Sequence, residues 1–392
     1  MKPPRILAIA GSDSSGGAGI QADIKTITML GGYAMTAVTA LTAQNTAGVR
    51  AIAATTPAML RDQIDACVED IGIDAIKIGM LPDRAAVECV AEALGALPGP
   101  VVVDPVLVAT SGDSLADSEV VEALHDCLFP LATIITPNLP ELAALTGGPQ
   151  GEAEAVIEAA KSLSERHSAH VLAKGGHGAG GRITDRLASP DGSYWSFDHP
   201  RIETSDTHGT GCTLSSALAT FLGRGMELRD AVDAARQFVR LAIKDAPGFG
   251  QGSGPLGHHK VRLDFPALPS LNQVTLPARD YGEAVEFYRR LGLTLIVDSP
   301  TNGYARFECE GGATVSISTE HGEPGGASCY FEVANLETAR QLAVSGGIEL
   351  DEVASQGWNW HEAWGRDPSG NRFCLYQARE DRRHPPWRVG AE

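Results

Sequence analysis

Residues 207–212 read Thr-His-Gly-Thr-Gly-Cys and place a glycine-rich turn directly before an apolar run. The apolar residues of that run recur at spacings of three and four, as they do on one buried face of a helix. They are Leu214, Ala217, Leu218, Phe221 and Leu222. Because the first N–H groups of a helix lack intrahelical acceptors and the helix dipole adds partial positive charge there, the turn is predicted to bind an anion.

Cys212 lies at the start of this predicted helix. A thiol near a helix N-terminus can have a lowered pKa, which makes Cys212 a candidate acid or base. The alternative is a glycine-rich turn with a cysteine buried by packing. The turn alone leaves both interpretations open.

The composition excludes several classes of function. The 392 residues carry a formal net charge of -18, whereas nucleic-acid binding depends on Lys and Arg that neutralise phosphates. The seven cysteines are odd in number and form no Cys-x-x-Cys pair, so neither a disulfide framework nor a zinc site is indicated. No segment approaches the roughly 20 apolar residues of a membrane span. We expect a soluble, cytoplasmic protein with neither nucleic acid nor membrane as a partner.

Short apolar runs alternate with longer helical stretches from Arg5 to about Asp245. This alternation predicts the α/β class, with helices layered on a largely parallel sheet. The predicted strands include Ile6–Ala10, Ala75–Ile78, Val101–Val103, Thr133–Ile135 and His170–Ala173. Ligands of open α/β sheets bind beyond the carboxyl ends of the strands, so the turns after these strands form the predicted site.

A segment rich in glycine and proline, Ala246–Gly257, interrupts this pattern, and a second turn-rich patch follows at Pro266–Pro269. Such a composition suits neither a helix nor a central strand. We therefore predict a first domain at 1–262, a linker at 263–270, a second domain at 271–379 and an extended tail at 380–392.

The second domain shows a pattern of one strand, one helix and three strands, twice in succession. This pattern predicts an α+β domain built from two βαβββ units in an internal repeat. The predicted elements are Asn272–Leu276, Tyr281–Leu291, Leu293–Val297, Tyr304–Glu308 and Thr314–Ser318, then Cys329–Val333, Leu336–Val344, Glu349–Val353, Glu362–Arg366 and Phe373–Tyr376.

The first turn of the chain is Ala10–Ile20. It overlaps a Gly-x-Gly-x-x-Ala motif at 17–22 that formally matches a dinucleotide-binding fingerprint. No Asp or Glu occurs between Asp23 and Asp62, where that fingerprint needs an acid for the ribose, so we reject a dinucleotide site. A Walker A loop is excluded because Gly-Lys-Ser/Thr is missing. The turn is instead predicted to pack over a small ligand. Asp23 then either faces that ligand or interacts with the helix dipole.

Polar side chains follow other apolar runs. Gln44 and Asn45 offer paired donors and acceptors that suit the edge of an aminopyrimidine. Asp104 and Glu141 follow adjacent predicted strands, where carboxylates can hold Mg²⁺ beside nucleotide phosphates. Lys174 supplies a mobile positive charge at another strand end. Each residue alone has an ordinary turn or surface role as its alternative, but together they favour a site.

Seven motifs of the first domain occur in order over about residues 5–260. They are Ala10–Thr26, Gln44–Thr46, Ile78–Met80, Asp104–Val106, Thr136–Glu141, Lys174–His177 and Thr207–Cys212. Together they resemble the hydroxymethylpyrimidine/phosphomethylpyrimidine kinases of thiamine biosynthesis. The resemblance implies a ribokinase-like three-layer sandwich with a mainly parallel sheet. It also implies an enzyme that uses ATP and Mg²⁺ to phosphorylate 4-amino-5-hydroxymethyl-2-methylpyrimidine and then its monophosphate.

The same resemblance implies roles for twelve residues and a homodimeric assembly. It assigns pyrimidine binding to Gln44, Asp23 and Met80, and nucleotide binding to Asn138, Lys174 and Asp206. The transferred phosphoryl group is assigned to Gly209, Thr210 and Gly211, with Cys212 as the base. Mg²⁺ binding is assigned to Asp104 and Glu141. A pyridoxal-type vitamin kinase is the nearest alternative, because only the pocket of Gln44 and Met80 would differ. A non-catalytic pyrimidine- or nucleotide-binding domain, with the activity in the second domain, is the other.

In the second domain, Asp280–Gly292 and Arg366–Phe373 resemble the vicinal oxygen chelate family, which includes glyoxalases, ring-cleaving dioxygenases and bleomycin-sequestering proteins. Metal-dependent members carry His or Glu at four positions, and this sequence has a poor ligand set there. The four residues are Gln273, Ser316, Ser328 and Cys374. We therefore expect a metal-free ligand-binding or regulatory module.

An aromatic cluster of the second domain has two interpretations. It comprises Trp358, Trp360, His361 and Trp364. These side chains either line a cavity for a planar ligand or pack as an aromatic core.

Overall fold

The computed structural model describes residues 2–95, 97–107, 117–148, 153–178, 180–261, 270–290, 293–308, 313–320, 328–366, 372–382, 385 and 387–389. The chain divides into two compact units, Met1–Val261 and Arg262–Glu392. All of the predicted linker except residue 270 lies outside the described residues.

The first unit is built on a sheet that has nine strands within the described ranges. They are β1 Arg5–Asp13, β2 Tyr33–Asn45, β3 Gly48–Ala54, β4 Ala75–Ile78, β5 Val101–Val103, β6 Ile134–Ile135, β7 His170–Ala173, β8 Arg182–Ala188 and β9 Tyr194–Pro200. Their order across the sheet is β3-β2-β1-β4-β5-β6-β7-β8-β9. The six strands from β2 to β7 in that order are parallel, whereas β3, β8 and β9 pair antiparallel at the two edges. The predicted α/β class with a largely parallel sheet is confirmed.

Helices cover both faces of this sheet. They are α1 Gly19–Met29, α2 Pro57–Asp70, α3 Arg84–Leu94, α4 Ser118–Ala123, α5 Leu139–Thr146, α6 Ala153–His167, α7 Thr210–Gly223 and α8 Leu228–Lys244. Helix α7 packs between α1 and α8 on one face. Apolar residues of α2 to α6 form a core with alternate residues of the central strands, such as Ile76 and Ile78. The result is a three-layer sandwich that brings the carboxyl ends of the parallel strands to one edge.

Several of these helices begin at residues that the sequence marks as caps. The backbone N–H of Ala86 donates to the Asp83 carboxylate over 2.8 Å at the start of α3. Asp117 accepts in the same way from Val120 at the start of α4. Such bonds satisfy N–H groups that have no acceptor within the helix. None of the helices in the described ranges has the length and apolar character needed to cross a membrane.

The second unit contains one mixed sheet and two helices in its described part. The strands are β10 Ser270–Pro277, β11 Thr294–Ser299, β12 Tyr304–Glu308, β13 Thr314–Ser318, β14 Ser328–Glu332, β15 Ala354–Ser355, β16 His361–Arg366 and β17 Arg372–Gln377, with helices α9 Tyr281–Arg290 and α10 Leu336–Ser345. Their order in the sheet is β11-β12-β13-β10-β14-β17-β16-β15. Each βαβββ unit pairs its first strand parallel to its fourth, and the two first strands meet antiparallel in the centre. The predicted repeat is confirmed.

Two predictions for this unit are wrong. The segment Glu349–Val353 is not a strand, since only Leu350 forms an isolated bridge there, and β15 follows it at 354–355. The tail is not wholly extended, because Arg379–Arg382 forms a 3₁₀ turn. Arg382 is buried, and its Nε donates to the Glu332 carboxylate over 2.9 Å. A buried charge needs a partner, so this ion pair attaches the tail to strand β14.

The aromatic cluster divides into packed and exposed members. Trp360 is buried and stacks on Tyr376 with ring centroids 4.6 Å apart, and Trp364 meets Tyr330 edge-on at 5.1 Å. Trp358, by contrast, is 43% exposed. Aromatic packing therefore accounts for two of the predicted cluster residues. Across the described parts of both units, no three His, Cys, Asp or Glu side chains are grouped as a metal ion requires.

Candidate active site

A cavity of about 700 Å³ lies in the first unit, at the carboxyl ends of the parallel strands and the start of α7. It brings together ten of the twelve predicted site residues. They are Gln44, Met80, Asp104, Asn138, Glu141, Lys174, Gly209, Thr210, Gly211 and Cys212. They come from the ends of several different strands and from the starts of α5 and α7, so the sheet topology is what assembles them.

Two glycine-rich turns form one wall of the cavity by packing against each other. Gly209 has a φ of 84° and precedes α7, a left-handed conformation that favours glycine. A Cβ at Gly209 would collide with the carbonyl of Gly17, and a Cβ at Gly17 would collide with the His208 ring. The glycines therefore allow the close approach that directs the first N–H groups of α7 toward the cavity.

Asp13 and His208 are site residues that the sequence analysis did not assign. The His208 ring donates from Nε2 to the Asp13 carboxylate over 2.8 Å, and both side chains are buried. The same carboxylate accepts the backbone N–H groups of Gly17 and Ala18 at 3.0 and 2.7 Å. Although burial raises the pKa of Asp13, the hydrogen bonds from His208, Ser15 and the backbone hold it well below its usual range. Both residues lie within quoted motifs, but nothing in the sequence connects positions 195 apart.

Lys174 lies between two carboxylates beside the first turn of α7, where a Cβ on Gly211 would stand 3.2 Å from its Nζ. Its Nζ donates to Asp104 Oδ1 over 2.7 Å and stands 3.8 Å from Glu141 Oε2. Asp104 also accepts from the Thr136 hydroxyl at 3.1 Å. Burial lowers the pKa of Lys174, but the neighbouring Asp104 and Glu141 more than offset this and raise it, so the ammonium stays charged.

Glu141 has a structural contact besides its place in the cavity. With Asn138 it forms a capping box at the start of α5: the Asn138 N–H donates to Glu141 Oε2 over 2.7 Å, and the Glu141 N–H donates to Asn138 Oδ1 over 2.9 Å. Burial raises the pKa of Glu141 to about 7, with Lys174 opposing and Asp104 reinforcing the effect. Glu141 therefore caps α5 and also lines the cavity, where its role as a Mg²⁺ ligand stays a prediction.

The donor set around Lys174 fits Mg²⁺. This ion is commonly held by one or two carboxylates together with phosphate oxygens and waters. Asp104 and Glu141 supply two carboxylates that already hold one cation, the Lys174 ammonium, between them. They are the residues that would hold the metal.

The thiol of Cys212 does not have the lowered pKa predicted from its place at the helix start. It lies half-buried in the first turn of α7 and accepts a hydrogen bond from the Gly19 N–H. Burial raises its pKa to about 11, although the nearby Lys77 ammonium opposes this. Loss of hydration therefore exceeds the opposing effects of Lys77 and the Gly19 hydrogen bond.

Gln44 extends into the cavity beside His208. Its Oε1 accepts the Thr42 hydroxyl at 3.2 Å, and its Nε2 stands 3.5 Å from His208 Nε2. Because His208 Nε2 donates its proton to Asp13, it does not accept a hydrogen bond from Gln44 Nε2. The N–H groups of the Gln44 amide therefore stay available to a ligand. Asn45 does not share this role, because its Oδ1 accepts the N–H of Ala47 in the β2–β3 turn.

Met80 forms an apolar part of the cavity wall. The Thr39 hydroxyl donates to the Met80 carbonyl over 2.7 Å and fixes the backbone after β4. The end of the Met80 side chain lies over Gly11, and a Cβ at position 11 would stand only 2.6 Å from Met80 Cε.

Two predicted site residues do not line the cavity. Asp23 is fully buried beneath α7, and its carboxylate accepts both Lys77 Nζ at 2.9 Å and the Ser216 hydroxyl at 2.7 Å. The prediction that Asp23 contacts the pyrimidine is wrong because this ion pair keeps its carboxylate inside the protein. Asp206 lies instead against the Gly254 turn, with its N–H donating to Thr204 Oγ1.

Comparison with known proteins identifies the family to which the first unit belongs. Residues 13–257 match the phosphomethylpyrimidine kinase family. The chain belongs to this family. Residues 270–375 match the glyoxalase/bleomycin resistance protein/dioxygenase superfamily. The chain is thus a phosphomethylpyrimidine kinase-family protein with a second, glyoxalase-like unit.

Individual relatives cover the kinase-family region. The hydroxymethylpyrimidine/phosphomethylpyrimidine kinase of Haemophilus influenzae is 42% identical over 258 residues, which cover 65% of this chain and 96% of that protein. The thiamine biosynthesis bifunctional protein of Geobacter sulfurreducens is 46% identical over 255 residues. That match covers 64% of this chain and 52% of the relative, so the chain spans about half the length of that relative.

A solved structure shares the fold of the kinase-family region. The pyridoxal kinase of Staphylococcus aureus, in complex with AMP-PCP and pyridoxal, is 32% identical with a TM-score of 0.60. The match covers 65% of this chain and 93% of that chain. The ribokinase-like architecture implied by the sequence is therefore confirmed.

Proposed function

We propose that this protein transfers the γ-phosphoryl group of ATP to 4-amino-5-hydroxymethyl-2-methylpyrimidine, and a second phosphoryl group to the resulting monophosphate. One observation carries the proposal: the amide of Gln44, the Lys174 ammonium and the first turn of α7 face a single cavity. Such a cavity holds both an aminopyrimidine and a triphosphate. Phosphoryl transfer needs alignment and charge neutralisation more than covalent chemistry.

At the pyrimidine end, the Gln44 amide donates to a ring nitrogen and accepts from the exocyclic amine. Its Oε1 already accepts the Thr42 hydroxyl and retains a second lone pair for that amine. Met80 supplies an apolar surface for the ring. This arrangement directs the hydroxymethyl group toward α7.

At the phosphoryl end, Lys174 and the N–H groups of Gly211 and Cys212 neutralise the charge that spreads over the transferred group. Bound Mg²⁺ would add positive charge at the phosphate oxygens, held by Asp104 and Glu141. Asn138, which lines the same wall, is the proposed nucleotide contact. Asp206 stays a proposed nucleotide contact, although it does not line the cavity.

We assign Cys212 as the group that receives the hydroxymethyl proton. With a pKa of about 11 in the free protein, about one thiol in 10⁴ is ionised at pH 7. This small thiolate fraction is sufficient because the transition state of phosphoryl transfer is loose. The attacking oxygen therefore keeps its proton until late in the reaction. Proton acceptance by Cys212 then completes the step.

The test is a kinase assay on the full chain with ATP, Mg²⁺ and the hydroxymethylpyrimidine. We expect two ATP molecules to be consumed per pyrimidine, with the monophosphate as an intermediate. A higher kcat/KM for pyridoxal would favour the vitamin kinase alternative, for which the fold similarity to pyridoxal kinase is the supporting observation. No turnover of either alcohol would favour a binding protein instead.

Replacement of Gln44 by alanine should lower kcat/KM for the pyrimidine by about 10- to 100-fold, because two hydrogen bonds to the ring edge are lost. Asn45→Ala is the matched control, since Asn45 lies next in sequence but bonds within its own turn. Steady-state kinetics with the pyrimidine as the varied substrate measures both. Equal effects of the two substitutions would contradict the role of Gln44.

For the second unit, we propose a metal-free ligand-binding or regulatory role. The buried Gln273, Ser316 and Cys374 offer no cluster of charged ligands. Stoichiometric metal in the purified protein would contradict this role. The homodimer stays a prediction.

A further inference from the structure

Lys77 is a fully buried lysine on the central strand β4. Lysine is almost never fully buried unless it is paired. Its Nζ donates to both carboxylate oxygens of Asp23, each over 2.9 Å. Replacing such a pair by apolar residues is often neutral for stability, so stability alone does not explain why the pair is there.

The pair lies directly beneath the first turns of α7. The Ser216 hydroxyl donates to Asp23 Oδ1 over 2.7 Å, which attaches the pair to α7. Cys212 precedes Ser216 by four residues and therefore lies on the same face of the helix, one turn nearer the cavity.

The Lys77 side chain also extends along β4 toward the cavity. A Cβ on Gly79, two residues further along the chain, would stand 2.8 Å from Lys77 Nζ. Met80, the next residue, lines the cavity. The ammonium thus lies near the carboxyl end of the strand, at the level where α7 begins.

We propose that Lys77 is a positioning residue for Cys212. The buried Lys77 ammonium, held by Asp23, stabilises the Cys212 thiolate from beneath α7. The role rests on the proposed function only in so far as that thiolate accepts the substrate proton. It supplies, inside the protein, a positive charge that offsets part of the lost hydration of Cys212.

Four charged groups act on the Cys212 thiol from the elements around it. Lys77 on β4 and Lys174 after β7 favour the thiolate, whereas Asp23 on α1 and Asp104 after β5 oppose it. After burial, which raises the pKa, Lys77 has the largest effect and its sign is opposite. This order agrees with the geometry, in which the ammonium faces α7.

The experiment follows the thiolate fraction of Cys212 through its alkylation rate and needs no substrate. The full chain is alkylated with iodoacetamide between pH 7 and 10, and modification of the Cys212 peptide is followed by mass spectrometry, with the Cys67 peptide as an internal reference. The test variant is D23N/K77M, which removes both charges at nearly constant volume and retains an oxygen for Ser216. We expect alkylation of Cys212 at pH 8 to slow by about three- to tenfold, because the lost effect of Lys77, which favours the thiolate, is larger than the lost effect of Asp23, which opposes it.

The sign of the change separates this role from a structural one. A loosened α7 would expose the thiol and accelerate alkylation, which would overturn the proposal, as would an unchanged rate. Ser216→Ala, which removes a hydrogen bond without changing charge, should stay within about twofold of the unsubstituted protein. Lys77→Arg retains the charge and should restore most of the rate.

Two further results keep the inference separate from the proposed function. If D23N/K77M does not fold, as judged by its melting temperature, D23L/K77M replaces it and the same signs apply. Slower alkylation in a protein without kinase activity would support the role of Lys77 while contradicting the proposed function. Kinase activity combined with an unshifted thiol pKa would overturn the role of Lys77 alone.

Discussion

Replacement of Cys212 by alanine is expected to lower kcat for pyrimidine phosphorylation by about 10²- to 10⁴-fold, with little change in the pyrimidine KM. The thiol is the base of the proposed reaction but contributes little to binding the ring. Because the thiolate is the active form and burial holds the pKa of Cys212 near 11, kcat/KM of the unsubstituted enzyme should rise with pH above neutrality. The increase should approach about tenfold per pH unit, and the variant should lose it.

The measurement is a coupled assay of ADP release between pH 6.5 and 9.5. Cys127→Ala is the control, since Cys127 is half-buried in a π-helical turn, Leu124–Leu128, and does not line the cavity. Turnover of the Cys212 variant at the unsubstituted rate, with the same pH dependence, would exclude Cys212 as the base.

Replacement of Lys174 by methionine is expected to lower kcat/KM for ATP by about 10²- to 10³-fold. The substitution removes the ammonium that lies 2.7 Å from Asp104 and that we propose to contact the phosphates. The variant should also melt at a lower temperature, because two buried carboxylates lose their shared partner. The KM for the pyrimidine should change little, since Gln44 is unaffected.

Lys161→Met provides the matched lysine control. Lys161 lies on α6 with its Nζ 5.0 Å from the centre of the Tyr194 ring, and it does not line the cavity. Kinetics with ATP as the varied substrate, performed below the melting temperature of each variant, compares the two. A folded Lys174 variant with less than a threefold loss would contradict the assignment.

The central part of the fold could be predicted from the sequence because its strands are short, continuous apolar runs. Strands such as Val101–Val103 are buried on both faces and read as apolar without exception. The antiparallel edge strands β3 and β9 lacked such a signal, since many of their residues are exposed. In the second unit, Glu349–Val353 has the composition of a strand but makes a single bridge, which depends on pairing that a sequence does not show.

The candidate site was predictable where a residue directly follows a parallel strand. Asp104 and Lys174 belong to this class, because the topology places all such positions at one edge of the sheet. Asp23 was misplaced because its partners, Lys77 and Ser216, are 54 and 193 residues away in sequence. The pKa of Cys212 was misjudged for a related reason, since burial is a property of the folded chain.

The reciprocal bonds between Asn138 and Glu141 mean that one carboxylate serves two purposes. At the proposed Mg²⁺ site, a shift of Glu141 Oε2 toward the cation would break its hydrogen bond to the Asn138 N–H at the start of α5. Occupancy of the proposed metal site would therefore be coupled to the local order of that helix. A substitution of Glu141 that changed the metal affinity would also change how the helix begins.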